Sequence, residues 1–199
     1  NDSWEVHVIV RENSNLQLLN DIQDKITIHE HNGTTSNMLS IFNNAKPDVV
    51  FHLAALSLSE HRSEDIVQLL HSNILFPNQL LEAMVNNEIY YLVNTGTYWQ
   101  HYQNNKYNPV NLYAATKQAF EDILVYYLET TPLRIITLKL FDSYGPNDER
   151  SKLFNQLKRA IKRNESLDMS PGKQLIDIVH VSDIIEAYIV SAKRLLNKT

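Results

Sequence analysis

The sequence predicts an α/β fold built on a doubly wound parallel sheet. Short runs rich in β-branched and aromatic residues alternate with longer segments of helical period. The strand-like runs are apolar nearly throughout, as in a sheet that helices cover on both faces. With 199 residues, 43% of them hydrophobic, the chain is long enough to bury a core.

Strands are predicted at 4–10, 25–30, 48–55, 89–95 and 133–141. A helical segment runs from about 60 to 85, and Pro77 should bend it or begin a fresh turn. An Asn-rich surface loop at 102–109 precedes another helix at about 110–127. The chain opens at what would be the second strand of a doubly wound sheet, so we expect the sheet to lack its first strand.

The pattern changes after Pro146. A charged helix is predicted at 149–163, followed by a Pro-Gly turn at 171–172 and a short strand at 175–181. A last helix should begin near Ser182, where a Ser-Asp pair suits an N-terminal cap.

Composition excludes several classes of function. A net charge of -5 and a pI near 5.9 provide no basic stripe for a phosphate backbone, so nucleic acid is not an expected partner. The apolar runs are too short to cross a bilayer, and we expect no membrane segment. No cysteine occurs and the eight histidines lack ligand spacing, so we expect a cytoplasmic protein without a metal site. The four glycines form neither G-x-G-x-x-G nor a P-loop.

The stretch NPVNLYAATKQAFEDIL, residues 108–124, places Tyr113 and Lys117 four positions apart on one face of a predicted helix. A nearby ammonium stabilises a phenolate and lowers a tyrosine pKa from about 10, as proton transfer at a carbinol oxygen requires. About half a Y-x-x-x-K match is expected by chance, and a second one, Tyr102 with Lys106, lies in the Asn-rich loop. By pattern alone, a half-buried aromatic beside a solvated lysine is the more frequent explanation.

Further blocks of sequence decide between these explanations. In chain order they are KPDVVFHLAA (46–55), NTGTYWQHY (94–102), NPVNLYAATK (108–117), LKLFDSYGPND (138–148) and LIDIVHVSDII (175–185). In order and approximate spacing they resemble the extended short-chain dehydrogenase/reductase family, the NAD-dependent epimerase/dehydratases, over nearly the whole chain. GTYWQHY, the aspartate of LFDSYGP and SPGKQLID are most similar to nucleotide-sugar 4-ketoreductases of the CDP-abequose and CDP-paratose synthase type.

The resemblance implies a Rossmann-like NAD(P)-binding domain at 1–146, incomplete at its N-terminus, and part of a small substrate-binding domain at 147–199. The implied reaction is reduction of the 4-keto group of a nucleotide-activated deoxyhexose, for surface polysaccharide or O-antigen, by a homodimer. A 4-epimerase with tightly held NAD is the enzymatic alternative. An inactive truncated scaffold or binding protein is the alternative of another class.

Catalytic roles follow from the same resemblance. Tyr113 would protonate the C4 oxygen, while Lys117 would lower the Tyr113 pKa and hold the nicotinamide ribose. Thr95 would hydrogen-bond the reacting oxygen, with Thr97 as the fallback; a strand-end threonine that only caps the next helix is the structural alternative. Dehydratases of the family carry Asp-Glu directly after that threonine. Here the two positions are Gly96 and Thr97, which favours reduction or epimerisation.

The cofactor implied is NADP(H) rather than NAD(H). Arg11 follows the strand that reads the adenosine ribose, where arginine favours a 2′-phosphate, whereas the adjacent Glu12 suits NAD(H). The other implied cofactor contacts are Leu53, Ala54, Ala55, Asn73, Lys117 and Phe141. Asn73 matches an asparagine that organises the active site in the family, and a solvated helix position is the alternative for it.

The implied substrate contacts are Thr97, Asp142, Arg150 and Gln174. Asp142 stands where most relatives have Asn, a difference that bears on substrate choice. Arg150 and Gln174 would meet the nucleotide diphosphate, which needs cationic partners, and a solvated surface position is the alternative for Arg150. Ile176-Asp177 replaces the Arg-Asp pair of most relatives, so a phosphate contact from that position is not expected.

Relatives of this type begin with a glycine turn whose backbone amides hold the pyrophosphate, and this sequence lacks that turn. We therefore expect a piece of a longer enzyme. The chain alone is predicted to bind the dinucleotide weakly or not at all, because a missing central strand leaves buried backbone groups unpaired. Titration with NADPH checks this prediction, and micromolar affinity of the isolated chain contradicts it.

Overall fold

The structure is a computed structural model and describes residues 4–146, 148, 153–169, 171 and 176–197. Its strands are β1 Val6–Arg11, β2 Ile26–His31, β3 Val50–His52, β4 Tyr91–Thr97, β5 Arg134–Leu140, β6 Asp142–Tyr144 and β7 Ile178–His180. Its α-helices are α1 Thr35–Ala45, α2 Ile66–Leu70, α3 Phe76–Asn86, α4 Leu112–Thr130, α5 Leu153–Arg163 and α6 Val181–Leu196. Segments of 3-10 type lie at Gln17–Lys25, Ser63–Asp65, Tyr98–Gln100 and Tyr102–Asn104, and a π-helical turn at His71–Leu75.

The strand pairs of the described chain are all parallel, which confirms the predicted fold class. β4 is the centre of a sheet with the order β3-β4-β5, while β1 pairs with β2 and β6 pairs with β7. Among the described residues, β1 and β3 each pair with a strand on one edge only. No described strand therefore joins β1-β2 to β3-β4-β5 through hydrogen bonds.

The central sheet is buried on both faces. Successive side chains of β4 point in opposite directions, so each face contributes to a different cluster. Leu92 belongs to a core cluster with residues of α1, α3 and α4, whereas Val93 belongs to a second cluster with residues of α6. Both side chains are fully buried. Helices therefore cover both faces of the sheet, which is why its strands read as apolar runs.

The helical segment predicted at 60–85 is divided into α2, the π-helical turn and α3. Pro77 lies in the first turn of α3, directly after the π-helical turn, where the sequence predicts a bend or a fresh turn. Pro77 has no N–H with which to bond the carbonyl of Asn73, four residues before it. In the turn that precedes Pro77, the N–H of Phe76 bonds to the carbonyl of His71, which is the π-helical pattern. Asn73 lies on this wider turn and is completely buried, although the sequence also allowed a solvated position.

The start of α4 is fixed by its cap, Asn111. The side-chain oxygen of Asn111 accepts from the N–H of Ala114 at 2.9 Å. Its amide nitrogen donates to the carbonyls of Leu58, at 3.3 Å, and Ser59, at 3.2 Å. The first turn of α4 is therefore tied to the loop that follows β3.

Several local features differ from the sequence prediction. The pattern does not predict α1, because TSNMLSIFNNA is rich in serine and asparagine, yet this helix supplies three side chains to the main core. Residues 142–144, expected in a loop, form β6 through pairing with β7. The cap of α6 is the ring of His180, which accepts from the N–H of Ser182 at 3.3 Å, rather than the Ser-Asp pair.

The C-terminal helices differ in their packing. α6 packs on the second face of the sheet through Tyr188, Ala192 and Leu195. α5 has no buried residue. Within the described ranges, no helix has both the length and the apolar character needed to cross a membrane.

Candidate active site

Tyr113 and Lys117 lie on the first two turns of α4, as the sequence predicts. The Lys117 side chain is 1% exposed, and no described residue hydrogen-bonds its ammonium group. Burial lowers the pKa of Lys117 to about 8, while the Glu121 carboxylate opposes that change. A buried ammonium without a partner is energetically costly. A ligand with hydroxyl oxygens would relieve this cost.

The environment of Tyr113 keeps its phenol protonated near neutral pH. Burial raises the pKa of Tyr113, and a hydrogen bond with the Ser57 side chain opposes the rise. Ser57, from the loop after β3, is thus the neighbour that opposes the rise of this pKa. The ring of Trp99 stands edge-on to the ring of Tyr113, with centroids 6.4 Å apart. A protonated phenol is the form that a general acid needs.

The structure distinguishes the two candidate threonines at the end of β4. The Thr95 hydroxyl donates to the His52 carbonyl at 2.7 Å and lies 2.5 Å from the Tyr188 hydroxyl, from which it accepts. The Thr97 side chain accepts from the N–H of Trp99 at 3.3 Å and caps the helical turn that follows β4. Thr97 is therefore the threonine with the capping role, and its side chain is buried.

Tyr188 is a site residue that the sequence does not identify. Burial raises its pKa, the bond to Thr95 lowers it, and the nearby Tyr113 raises it. The two phenols therefore lie within electrostatic range of each other, although 75 positions separate them in the chain. Tyr188 comes from α6 on the far side of the sheet, and an apolar helix position gives no signal of a polar contact.

A buried histidine supports the strand ends beneath this site. His52 is 1% exposed, and its Nδ1 lies 2.9 Å from the Asn94 side-chain oxygen. Its Nε2 has no hydrogen-bond partner in the described part of the chain. Burial, and then the charge of Lys117, lowers the pKa of His52 to about 4. The ring is therefore neutral at pH 7 and carries its proton on Nδ1, which donates to Asn94.

Asn73 joins the loop after β3 to α4. Its side-chain oxygen accepts from the N–H of Leu56 at 2.9 Å, and its amide donates to the Leu56 carbonyl at 3.0 Å. The same amide donates to the Thr116 hydroxyl at 2.9 Å, and that hydroxyl donates to the Tyr113 carbonyl at 2.7 Å. All the hydrogen-bonding groups of Asn73 thus contact protein, which suits a residue that organises the site rather than one that contacts the cofactor.

The other residues implied as cofactor contacts lie at exposed positions. The strand predicted at 48–55 is shorter in the structure and ends at His52. Leu53, Ala54 and Ala55 follow it as an exposed irregular segment. Arg11 is exposed at the end of β1. Phe141 follows β5, and its ring stacks on that of Tyr98 at 4.3 Å between centroids.

A cleft of about 780 Å³ adjoins the ring of Trp99. Aromatic and apolar side chains form much of its wall, and two carboxylates, those of Asp142 and Asp177, also line it. The remaining lining residues are Tyr98, Tyr102, Asn104, Val110, Phe141 and Ile176. Arg150 and Gln174 lie outside the described residues. Among those that are described, no group of three or more His, Cys, Asp or Glu side chains is placed to hold a metal ion.

These features are those of the extended short-chain dehydrogenase/reductase class of nicotinamide-dependent enzymes. A family model described as "NAD dependent epimerase/dehydratase family" matches residues 1–198, and the chain belongs to this family. The resemblance inferred from the sequence blocks is confirmed.

Individual relatives agree with this assignment. A CDP-abequose synthase from Yersinia pseudotuberculosis is 33% identical over 149 residues, 73% of this chain and 52% of the relative. The UDP-glucose 4-epimerase of Thermotoga maritima, solved with UDP-glucose, has a TM-score of 0.83 at 19% identity, over 95% of this chain and 65% of that one. The Thermus thermophilus UDP-glucose 4-epimerase, solved with NAD, has a TM-score of 0.79 at 22% identity, over 94% and 66%. The chain spans about half the length of the curated relatives it matches.

The residues present fit a nicotinamide dinucleotide. The buried Lys117 ammonium has no hydrogen-bond partner among the described residues, and ribose hydroxyls are suitable acceptors for it. The small side chains of Ala54 and Ala55 leave the backbone after β3 open to close approach. Among the described residues, Lys117, Leu53, Ala54 and Ala55 are thus candidates to hold the cofactor.

The neutrality of His52 predicts a specific loss of stability in acid. Its pKa falls from 6.5 to about 4 on folding, so the unfolded chain binds the extra proton between these pH values. The free energy of unfolding should therefore decrease by about 3 kcal/mol from this residue as the pH falls through that window. Urea denaturation of the wild type and of His52→Gln measures it. Equal pH dependence in the two proteins contradicts the prediction.

Proposed function

We propose that the whole protein reduces the 4-keto group of a nucleotide-activated deoxyhexose with NADPH, in the synthesis of surface polysaccharide. The observation that carries the proposal is the pairing of a protonated phenol, Tyr113, with a buried ammonium one turn away, Lys117. The similarity to CDP-abequose synthase, at 33% identity, supports the sugar class.

Bound NADPH would supply the hydride that reaches C4 of the sugar. The Tyr113 phenol donates its proton to the C4 oxygen, so that the carbonyl gains one hydride and one proton and becomes an alcohol. The Lys117 ammonium and the Ser57 hydroxyl then stabilise the phenolate that remains. Thr95, whose hydroxyl contacts Tyr188, is the candidate that orients the reacting oxygen.

The space around Gly96 argues against dehydration. A Cβ atom on Gly96 would lie 2.8 Å from the Glu121 carboxylate and 3.2 Å from the Gln100 side-chain oxygen. The resemblance implies an acidic side chain at this position in dehydratases, whereas this chain carries glycine with the Glu121 carboxylate beside it. Reduction or epimerisation requires no such group, which supports the simpler reactions.

We assign NADP(H) as the cofactor. Arg11 is exposed where β1 ends, and no described residue forms an ion pair with its guanidinium. A free guanidinium at this place suits the 2′-phosphate that distinguishes NADP(H) from NAD(H). Asn73 would act by holding the site together, and Phe141 by bordering it.

The cleft beside Trp99 is our candidate for the sugar. Its aromatic walls, including the stacked Tyr98 and Phe141, suit the apolar face of a hexose ring. The carboxylate of Asp142 suits sugar hydroxyls, while Arg150 and Gln174 remain candidates for the diphosphate. Thr97, committed to its cap, contributes through the backbone of this turn rather than through a substrate contact.

A homodimer is also part of the proposal. The C-terminal half of α4 leaves three large apolar side chains exposed: Val125, Tyr126 and Leu128, at 52%, 63% and 45%. Such a patch on a helix is typical of a protein contact surface. A second copy packed along α4 would cover it.

Cofactor stoichiometry separates the reductase from a 4-epimerase. Incubation of the whole protein with a 4-keto-6-deoxy nucleotide sugar and NADPH is expected to oxidise one NADPH for each sugar reduced. Absorbance at the reduced-nicotinamide band follows the cofactor, and chromatography follows the sugar. An interconversion of sugars without net NADPH consumption would identify an epimerase instead.

Replacement of Tyr113 tests the proton donor. Tyr113→Phe in the whole protein should lower kcat about 10²- to 10⁴-fold, because the phenolic proton is removed while the ring remains. Tyr107→Phe, at an exposed loop position, is the matched control and should retain wild-type activity. Activity of Tyr113→Phe close to wild type would remove Tyr113 from the mechanism.

A further inference from the structure

Glu121 lies one turn after Lys117 on α4 and is held in a defined position. One carboxylate oxygen accepts from the Gln100 amide at 3.0 Å. The other lies 3.0 Å from the Lys139 ammonium, and the Glu121 side chain is only 16% exposed. An acidic side chain on the outer face of a helix is usually solvated. This one instead faces β5 and the turn after β4.

The groups that hold Glu121 are themselves held. Gln100 is fully buried, donates to the Gln118 side chain at 2.8 Å and accepts from the Thr97 N–H at 2.9 Å. The Lys139 ammonium lies 2.6 Å from Nε2 of His101. The Nδ1 of that ring lies 2.8 Å from the Lys106 carbonyl, so Nδ1 carries the proton and Nε2 accepts from Lys139.

Gly96 makes room for this arrangement. A side chain there would collide with the Glu121 carboxylate, as described above, and would approach Cγ of Lys139 to 3.1 Å. A side chain at position 96 would therefore require the Glu121 carboxylate to shift from its present place. Glycine on β4 is what allows an acidic group to come from α4.

We propose that Glu121 is a positioning residue that keeps the buried Lys117 side chain charged. Its carboxylate is held in a cage formed by Gln100 and Lys139. The positive charge of Lys139 weakens the electrostatic effect of the Glu121 carboxylate on Lys117. This inference rests on the proposed role of Lys117 as the partner of Tyr113. Glu121 favours the ammonium form of Lys117 against burial. Among the described residues, other charged or titratable groups near this pair include Tyr113 on α4 itself, His52 from β3, Lys139 from β5 and His101 from the loop after β4. Tyr188 from α6 lies within electrostatic range of Tyr113.

The proposal predicts pKa changes of opposite sign for two substitutions in one cage. Glu121→Gln removes the negative charge and should lower the pKa of Lys117 by about one pH unit. Lys139→Gln leaves the Glu121 carboxylate unneutralised and should raise the pKa of Lys117 by a similar amount. A purely structural role for Glu121 predicts no such pair of opposite shifts.

Nuclear magnetic resonance titration of the whole protein, labelled with ¹³C at the lysine Cε, measures these values. The signal absent from Lys117→Arg identifies Lys117. Glu129→Gln, at an exposed position later on α4, is the control and should leave the titration unchanged. An unchanged Lys117 pKa in both cage variants overturns the proposal. If Glu121→Gln does not fold, Lys139→Gln decides alone: a rise supports the proposal and no change overturns it.

The alkaline limb of the pH–rate profile for NADPH-dependent reduction supplies a second readout. It should move to lower pH in Glu121→Gln and to higher pH in Lys139→Gln, because activity needs the charged Lys117. Failure of the reductase assignment is distinguishable. In that case the titrations still shift in opposite directions while no variant, including the wild type, reduces the keto sugar.

Discussion

The candidate site is organised around the buried Lys117 ammonium, which forms no hydrogen bond with any residue that the structure describes. Lys117 is held inside because one face of α4 packs into the core: Phe120 and Leu124 belong to the same cluster as Leu92 of the sheet. The apolar burial of α4 therefore offsets the cost of desolvating the ammonium. The packing of α4 thus holds the Lys117 ammonium in a place that is unfavourable for it, as is common at active sites.

Two asparagine side chains fix the loop after β3 relative to α4. Asn111 ties the first turn of α4 to the carbonyls of Leu58 and Ser59, and Asn73 ties the second turn to Leu56. Both use amide groups that can donate and accept at once, which an aliphatic side chain cannot do. The loop that carries Ser57, a partner of Tyr113, is therefore positioned from both sides.

Much of the fold follows from sequence pattern, and the exceptions have physical causes. The five longer predicted strands, the fresh turn at Pro77 and α4 all appear, because apolar period and proline chemistry act locally. α1 escapes prediction because packing of a few side chains overrides a sequence with low helix propensity. β6 exists through its pairing with β7, more than 30 residues later, and such pairing leaves no local signal.

The sequence by itself determined the family, through blocks in a recognisable order, and predicted the Tyr113–Lys117 pair on one helix. Only the tertiary structure decided that Thr97 is a cap, that Thr95 meets Tyr188, and that Glu121 comes close to Lys139. The reason is geometric. Helical spacing relates residues four apart, whereas contacts among α4, α6 and the strand ends join positions that only folding brings together.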